Sequence, residues 1–107
     1  MSLHTALRRA AAQDSVDDIN FLIEEKCNVN TQDENPNSLK TALHWAVIKG
    51  HIAAATGLKN ASARTDIRDF FKKTSIDYAK EANNSEMLTL LGVALLAPIA
   101  ELSQLKL

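Results

Sequence analysis

A threonine followed by a short helical pattern of small and large apolar residues opens three stretches of this chain, at Thr5, Thr41 and Thr74, which lie 36 and then 33 residues apart. In the middle stretch Leu43, Ala46, Val47 and, past a glycine, Ile52 fall on one helix face, with Thr41 placed to cap the helix and Gly50 to end it. A second helix is expected from Ile52 to about Lys59, then an extended run from Ala61 to Asp69 and a tip at Phe70 to Lys73. The first stretch has the same order: a helix from Thr5 to about Gln13, a turn at Asp14-Ser15, a helix from Val16 to about Glu25, and a non-helical run from Cys27 that enters the turn formers Glu34 to Ser38. A helix pair with a projecting turn, repeated about every 33 residues, cannot bury its apolar face alone, so the units must stack on one another.

Composition narrows the setting. At 107 residues the chain is one domain, and 46% hydrophobic with 23% charged residues is ordinary for a globular protein. A formal net charge of -1 offers no global attraction to nucleic acid or an anionic membrane, so a partner must be recognised by local surface. The adjacent basic pairs, Arg8-Arg9 and Lys72-Lys73, are too few and too separated to mark a phosphate-backbone site. One cysteine, Cys27, forms no intramolecular disulfide, and no basic leader with an apolar run opens the chain, so a cytoplasmic setting is expected. The longest apolar stretch, Leu88 to Ala100, is broken by Thr89, Gly92 and Pro98 and falls short of the ~20 residues that span a bilayer. Few aromatics, glycines and prolines beside many alanines and leucines point to a helical chain without a sheet core.

The repeated register resembles that of the ankyrin repeat. The middle unit carries Thr41, Leu43, His44, Ala46, Gly50, His51, Ala63 and Asp69. The first keeps Thr5, Leu7, Ala10, Ala11, Asn28-Val29-Asn30 and Asp33, and the third Thr74, Ile76, Asp77 and Ala79. The resemblance runs from about Thr5 to Leu91 and implies an all-α solenoid of helix-turn-helix units with short β-turn fingers, with repeats at about 5–40, 41–73 and 74–91 of a single domain, 1–107. Some positions depart from the family. Ala6, Ala42 and Ser75 replace its proline, Arg8 replaces the first unit's histidine, and three extra residues lengthen the first fingertip. Gly57 stands where the family prefers leucine, beside Ala53, Ala54 and Ala55, so this helix should be the weakest locally. Past Leu91 the pattern ends while Val93, Leu95, Leu96, Ile99, Leu102 and Leu105 continue at helical spacing. We read 92–107 as a C-terminal capping helix; the alternative is a self-associating assembly module that uses 93–105.

His4, His44, His51 and Cys27 are the candidates for catalysis, and the register removes three of them. His44 and His51 fall at the family's structural histidine positions, expected to bond loop backbone and the next unit's threonine, and Cys27 falls at a small apolar loop position. No glycine-rich phosphate loop, nucleophile elbow or zinc-type Cys/His spacing occurs, so neither catalytic residues, nor a metal site, nor a cofactor is expected.

What remains is binding. Phe70-Phe71 sit at a tight projecting tip where two rings have few ways to be buried, and at least one should be exposed as an anchor. The resemblance implies a concave binding face made of fingertips and first helices. Carried onto this chain, it comprises Gln32, Glu34 and Lys40 at the first tip, Arg68, Phe70, Phe71 and Lys73 at the second, and Arg9, Ala12, Gln13, Trp45, Ile48, Lys49, Tyr78 and Glu81 on the helices. Trp45 and Tyr78 recur at one position of successive units, an aromatic ladder. A monomeric protein-binding module is the expectation.

Overall fold

The computed structural model describes residues 2–93, which form six α-helices and, among the described residues, no strand. In order they are α1 (Leu3–Ala12), α2 (Val16–Glu24), α3 (Ala42–Lys49), α4 (Ile52–Asn60), α5 (Ser75–Glu81) and α6 (Ser85–Leu90). The all-α solenoid is as expected. First helices α1, α3 and α5 pack side by side in one layer, second helices α2, α4 and α6 in another, and each first helix packs on its own second helix. Apart from Gly92 and Val93, the proposed cap lies outside the described residues.

Local chemistry sets the helix ends. Thr41 caps α3 by accepting from the His44 N–H, and Thr74 caps α5 by accepting from the Asp77 N–H. In each case the side chain three residues on reaches back to the threonine N–H, His44 Nδ1 at 3.1 Å and Asp77 Oδ2 at 3.0 Å, closing a reciprocal box. Thr5 differs from the expected pattern. α1 begins a turn earlier, at Leu3, because the Ser2 hydroxyl accepts from the Thr5 N–H at 3.1 Å and supplies the cap itself. The turn inside each unit needs a left-handed residue, filled by Asp14 (φ 58°), Gly50 (φ 74°) and Asn83 (φ 54°). Glycine adopts that backbone without strain, and Asp and Asn tolerate it through local hydrogen bonds.

The core lies between the two layers. Leu7, Ile19, Leu43, Leu58 and Met87 are fully buried, and Ala11, Ala46, Ala54, Ala55 and Ala79 let the helices approach closely. Burying a leucine-sized side chain contributes about 1.5–3 kcal/mol, so these few residues carry most of the hydrophobic stabilisation. Polar ties join successive units on the side away from the fingers. His51 Nδ1 meets the Ala11 carbonyl at 3.1 Å, and the Asp14 carboxylate accepts from the Ala54 N–H at 3.1 Å, capping α4 from the preceding unit.

Gly57 occupies the middle of α4 without breaking it. A β-carbon there would stand 3.7 Å from Ile19 Cγ2 and 4.0 Å from Asn20 Oδ1, ordinary contact distances. Alanine therefore fits without displacing α2. We expect Gly57→Ala to raise the unfolding free energy by about 1 kcal/mol, from helix propensity alone. Urea denaturation checks this, and a loss of stability would mean that α4 and α2 are packed more tightly than these distances imply.

Candidate protein-interaction surface

Two fingers project from the layer of first helices. Each opens at an aspartate whose N–H donates to a lysine carbonyl: Asp33 to Lys40 at 2.8 Å, and Asp69 to Lys73 at 2.9 Å. The extra residues of the first finger fold into a turn of their own, in which the Ser38 and Leu39 N–H groups both donate to the Asn35 carbonyl. The Phe70 N–H donates to the Ser38 carbonyl at 3.0 Å, and the Gln32 side-chain amide donates to the Leu39 and Arg68 carbonyls, each at 2.9 Å. The fingers are thus tied to each other, and Gln32 is committed to that tie.

Asp69 holds the second finger. Its carboxylate has no exposed side-chain surface, and Oδ1 accepts from the Phe71 N–H at 2.9 Å and the Lys73 N–H at 3.0 Å. Oδ2 accepts from the Tyr78 hydroxyl of α5 and pairs with the Lys40 ammonium of the first finger at 3.1 Å. Burial alone would push the Asp69 carboxyl up, but these donors outweigh it and hold it below its ordinary 3.8. The Tyr78 phenol is pushed strongly upward, first by burial and then by the hydrogen bond it donates to Asp69, so it stays protonated as the donor.

Lys40 is where the structure departs furthest from the expected surface. Its residue is 9% exposed, and its ammonium lies 5.1, 5.6 and 5.8 Å from the ring centres of Phe71, Tyr78 and Trp45. Those distances are within cation–π range. The expected ladder of Trp45 and Tyr78 is therefore joined by a cation between its rungs, and Lys40 turns inward as a strut instead of outward to a partner. Lys73 remains half-exposed, paired with Glu81 at 2.6 Å and lying 5.4 Å from the Tyr78 ring.

The other candidates fall into distinct places. Phe70 is 47% and Phe71 58% exposed, their rings edge to face at 5.2 Å. Arg68 is exposed beside them, and Ile48 and Lys49 are exposed on α3. Arg9, Glu34, Trp45 and Lys49 come together around a groove of about 410 Å³ that Thr5, Arg8 and Asp33 complete. Those three were missed by sequence reasoning, although the equivalence of Asp33 with Asp69 at the finger base was a signal. Gln13 does not line this groove; together with Arg9 it borders a second groove at the α1/α2 end of the stack.

Three of the four groups considered for chemistry, His44, His51 and Cys27, hold structural positions. His44 Nδ1 accepts from the Thr41 N–H, so its proton sits on Nε2, which donates to the Lys73 carbonyl at 3.0 Å. The tie reaches the residue before Thr74 and not the threonine itself. Arg8 serves the first unit similarly, its guanidinium donating to the Thr31 carbonyl at 3.3 Å. Cys27 is buried and its thiol pushed up by desolvation, the opposite of what a nucleophile needs. Among the described residues no group of three His, Cys, Asp or Glu side chains could hold a metal, and no helix is long and apolar enough to cross a membrane.

Comparison with known proteins agrees with this architecture. A family model described as ankyrin repeats, in three copies, matches residues 3–94. The chain is 34% identical over 74 residues to the palmitoyltransferase ZDHHC17 of Danio rerio, a match covering 69% of this chain and 12% of that protein. It is also 34% identical over 84 residues to the palmitoyltransferase AKR1 of Candida albicans, covering 78% of this chain and 10% of the relative. The human ZDHHC17 matches at 32% over 74 residues, or 69% of this chain and 11% of the relative. The chain thus spans only about a tenth of the length of these relatives. With three phased helix pairs, polar ties between units and a family model matched over most of its length, the chain belongs to the ankyrin-repeat family.

Proposed function

We propose that this chain is a protein-binding module without catalysis of its own, presenting a rigid concave face to a protein partner in the cytoplasm. One observation carries the reading: Phe70 and Phe71 are both about half exposed on a fingertip whose backbone is clamped by a buried carboxylate. Exposed rings on a mobile loop would lose ordering entropy on binding, whereas here the backbone is already fixed and the apolar area is available to a partner. Arg68 at the same tip, with Trp45 in the neighbouring groove, supplies the kinds of side chain that dominate interface energies. The palmitoyl transfer named for the relatives belongs to proteins roughly six to eight times as long as this chain and is not part of this proposal.

The test is the Phe70→Ala, Phe71→Ala double variant. We expect its unfolding free energy to fall by no more than about 1 kcal/mol, the scale of the cation–π contact that Phe71 makes with Lys40. Proteins retained from cell extract by the native chain and lost by the variant are then titrated calorimetrically, with at least a tenfold fall in affinity expected. A destabilised variant that still binds its partner would show that the two rings are structural.

A further inference from the structure

A ladder of aromatic rings attracts cations, because the face of each ring is its negative side. In this protein those faces are already taken. The Lys40 ammonium lies among the Phe71, Tyr78 and Trp45 rings, and the Lys73 ammonium lies 5.4 Å from the centre of the Tyr78 ring. Carboxylates hold both cations in place, Asp69 at 3.1 Å from Lys40 and Glu81 at 2.6 Å from Lys73. A partner cation approaching the ladder would meet two fixed ammonium groups, so the rings select against it. What the second fingertip still offers is apolar area, with Phe70 and Phe71 both about half exposed.

The charges around those two rings do not cancel. Lys40 and Lys73 are each matched by one carboxylate, and the Asp69 side chain is fully buried. Arg68 and Lys72, on either side of Asp69-Phe70-Phe71 in the chain, are both exposed, and among the described residues neither makes an ion pair. The other acidic groups near in sequence are engaged, Asp66 with Arg64 at 2.9 Å and Asp77 with the Thr74 N–H at 3.0 Å. Glu34 of the first finger lines the groove that holds Arg9 and Lys49. The tip is therefore two rings and two uncompensated cations on a fixed backbone, in a chain whose overall charge is -1. We propose that its partner is an acidic, apolar peptide segment, with large apolar side chains against Phe70 and Phe71 and aspartate or glutamate opposite Arg68 and Lys72. This rests on the reading of the tip as a protein-binding site and adds the sign of the charge. Buried apolar anchors supply affinity, while charges at the rim choose the partner and speed its approach. An anionic bilayer shares part of this chemistry, but two cations contribute only about 2 kcal/mol there, at about 1 kcal/mol each, and the chain's overall charge opposes it.

Selection from a phage-displayed library of random peptides, about twelve residues long, tests this with the native chain as bait. Two double variants sort the result: Phe70→Ala with Phe71→Ala removes the rings, and Arg68→Glu with Lys72→Glu reverses the charges. Circular dichroism checks each for native helicity, and Arg68→Gln with Lys72→Gln is the milder form if the reversal disturbs it. Peptides that bind the native chain and not the ring variant should combine net negative charge with large apolar residues. Synthesised and titrated, they should bind the charge variant at least tenfold more weakly than the native chain, and bind the native chain more weakly as salt rises. Ring-dependent peptides that are neutral or basic overturn the proposal while leaving the protein-binding reading intact. So do acidic peptides that bind the charge variant equally well. A selection that yields no ring-dependent peptide overturns both. Cosedimentation of the native chain, but not of the ring variant, with phosphatidylserine vesicles would assign the tip to a membrane surface and overturns the proposal as well.

Discussion

Asp69→Ala should lower the unfolding free energy by about 3–5 kcal/mol, the range for removing one partner of a buried ion pair, and this is a large share of what a domain of this size has. The loss has three parts. The Lys40 ammonium stays among the Phe71, Tyr78 and Trp45 rings without its carboxylate. The Phe71 and Lys73 N–H groups lose their acceptor, and so does the Tyr78 hydroxyl. Lys40→Met is the informative companion, because it keeps the apolar stem and leaves Asp69 with its other three donors. It should cost about 1–2 kcal/mol, closer to a lost charge-assisted hydrogen bond. Urea melts of both variants, with the double variant to close a cycle, check the pair. If Lys40→Met is as damaging as Asp69→Ala, the ion pair and not the backbone clamp holds the finger. The clamp also predicts an acid limb: because the folded carboxyl is held below 3.8, its contribution is present above that value and lost as pH falls through the folded pKa.

The stacked helices were legible because each unit must solve the same problem with few chemical answers. A hydroxyl that caps a helix, a residue that can turn left-handed and small residues at the helix seams recur wherever a unit recurs, so Thr41, Gly50, Ala46 and their counterparts give the register. The candidate surface was legible only where a residue's fate is decided locally. Phe70 and Phe71 follow from a tight tip. Lys40 does not, since a lysine in a turn-rich loop is by default solvated, and its actual partners are 29 residues on at Asp69 and 38 on at Tyr78. Only the folded arrangement, with the two fingers joined through Phe70 and Ser38, brings a cation, a carboxylate and three rings together. The start of α1 escaped notice for the converse reason: Ser2 caps locally, but the register of the other units drew attention to Thr5.

His44 carries the second large effect, and it is readable by pH as well as by substitution. Removing the imidazole with His44→Ala leaves the Thr41 N–H without its acceptor and the Lys73 carbonyl with the Asp69 N–H alone, at the base of the second finger, for a loss of about 1–3 kcal/mol at the orphaned group. Protonation should do part of the same damage. A proton on Nδ1 would face the Thr41 N–H, donor against donor, and burial already holds the imidazole pKa below 6.5, against the pull of the Lys73 carbonyl and Asp69. The unfolded chain therefore takes up a proton near 6.5 that the folded chain refuses. Stability from this group is fully present above that pH and is lost as pH falls from 6.5 toward the lower folded pKa, below which the slope vanishes. Urea melts between about pH 8 and pH 5 should show this decline in the native chain and a flatter profile in His44→Ala. An equal decline in both would mean that another group takes up the proton, and that His44 ties the finger to α3 without sensing acidity.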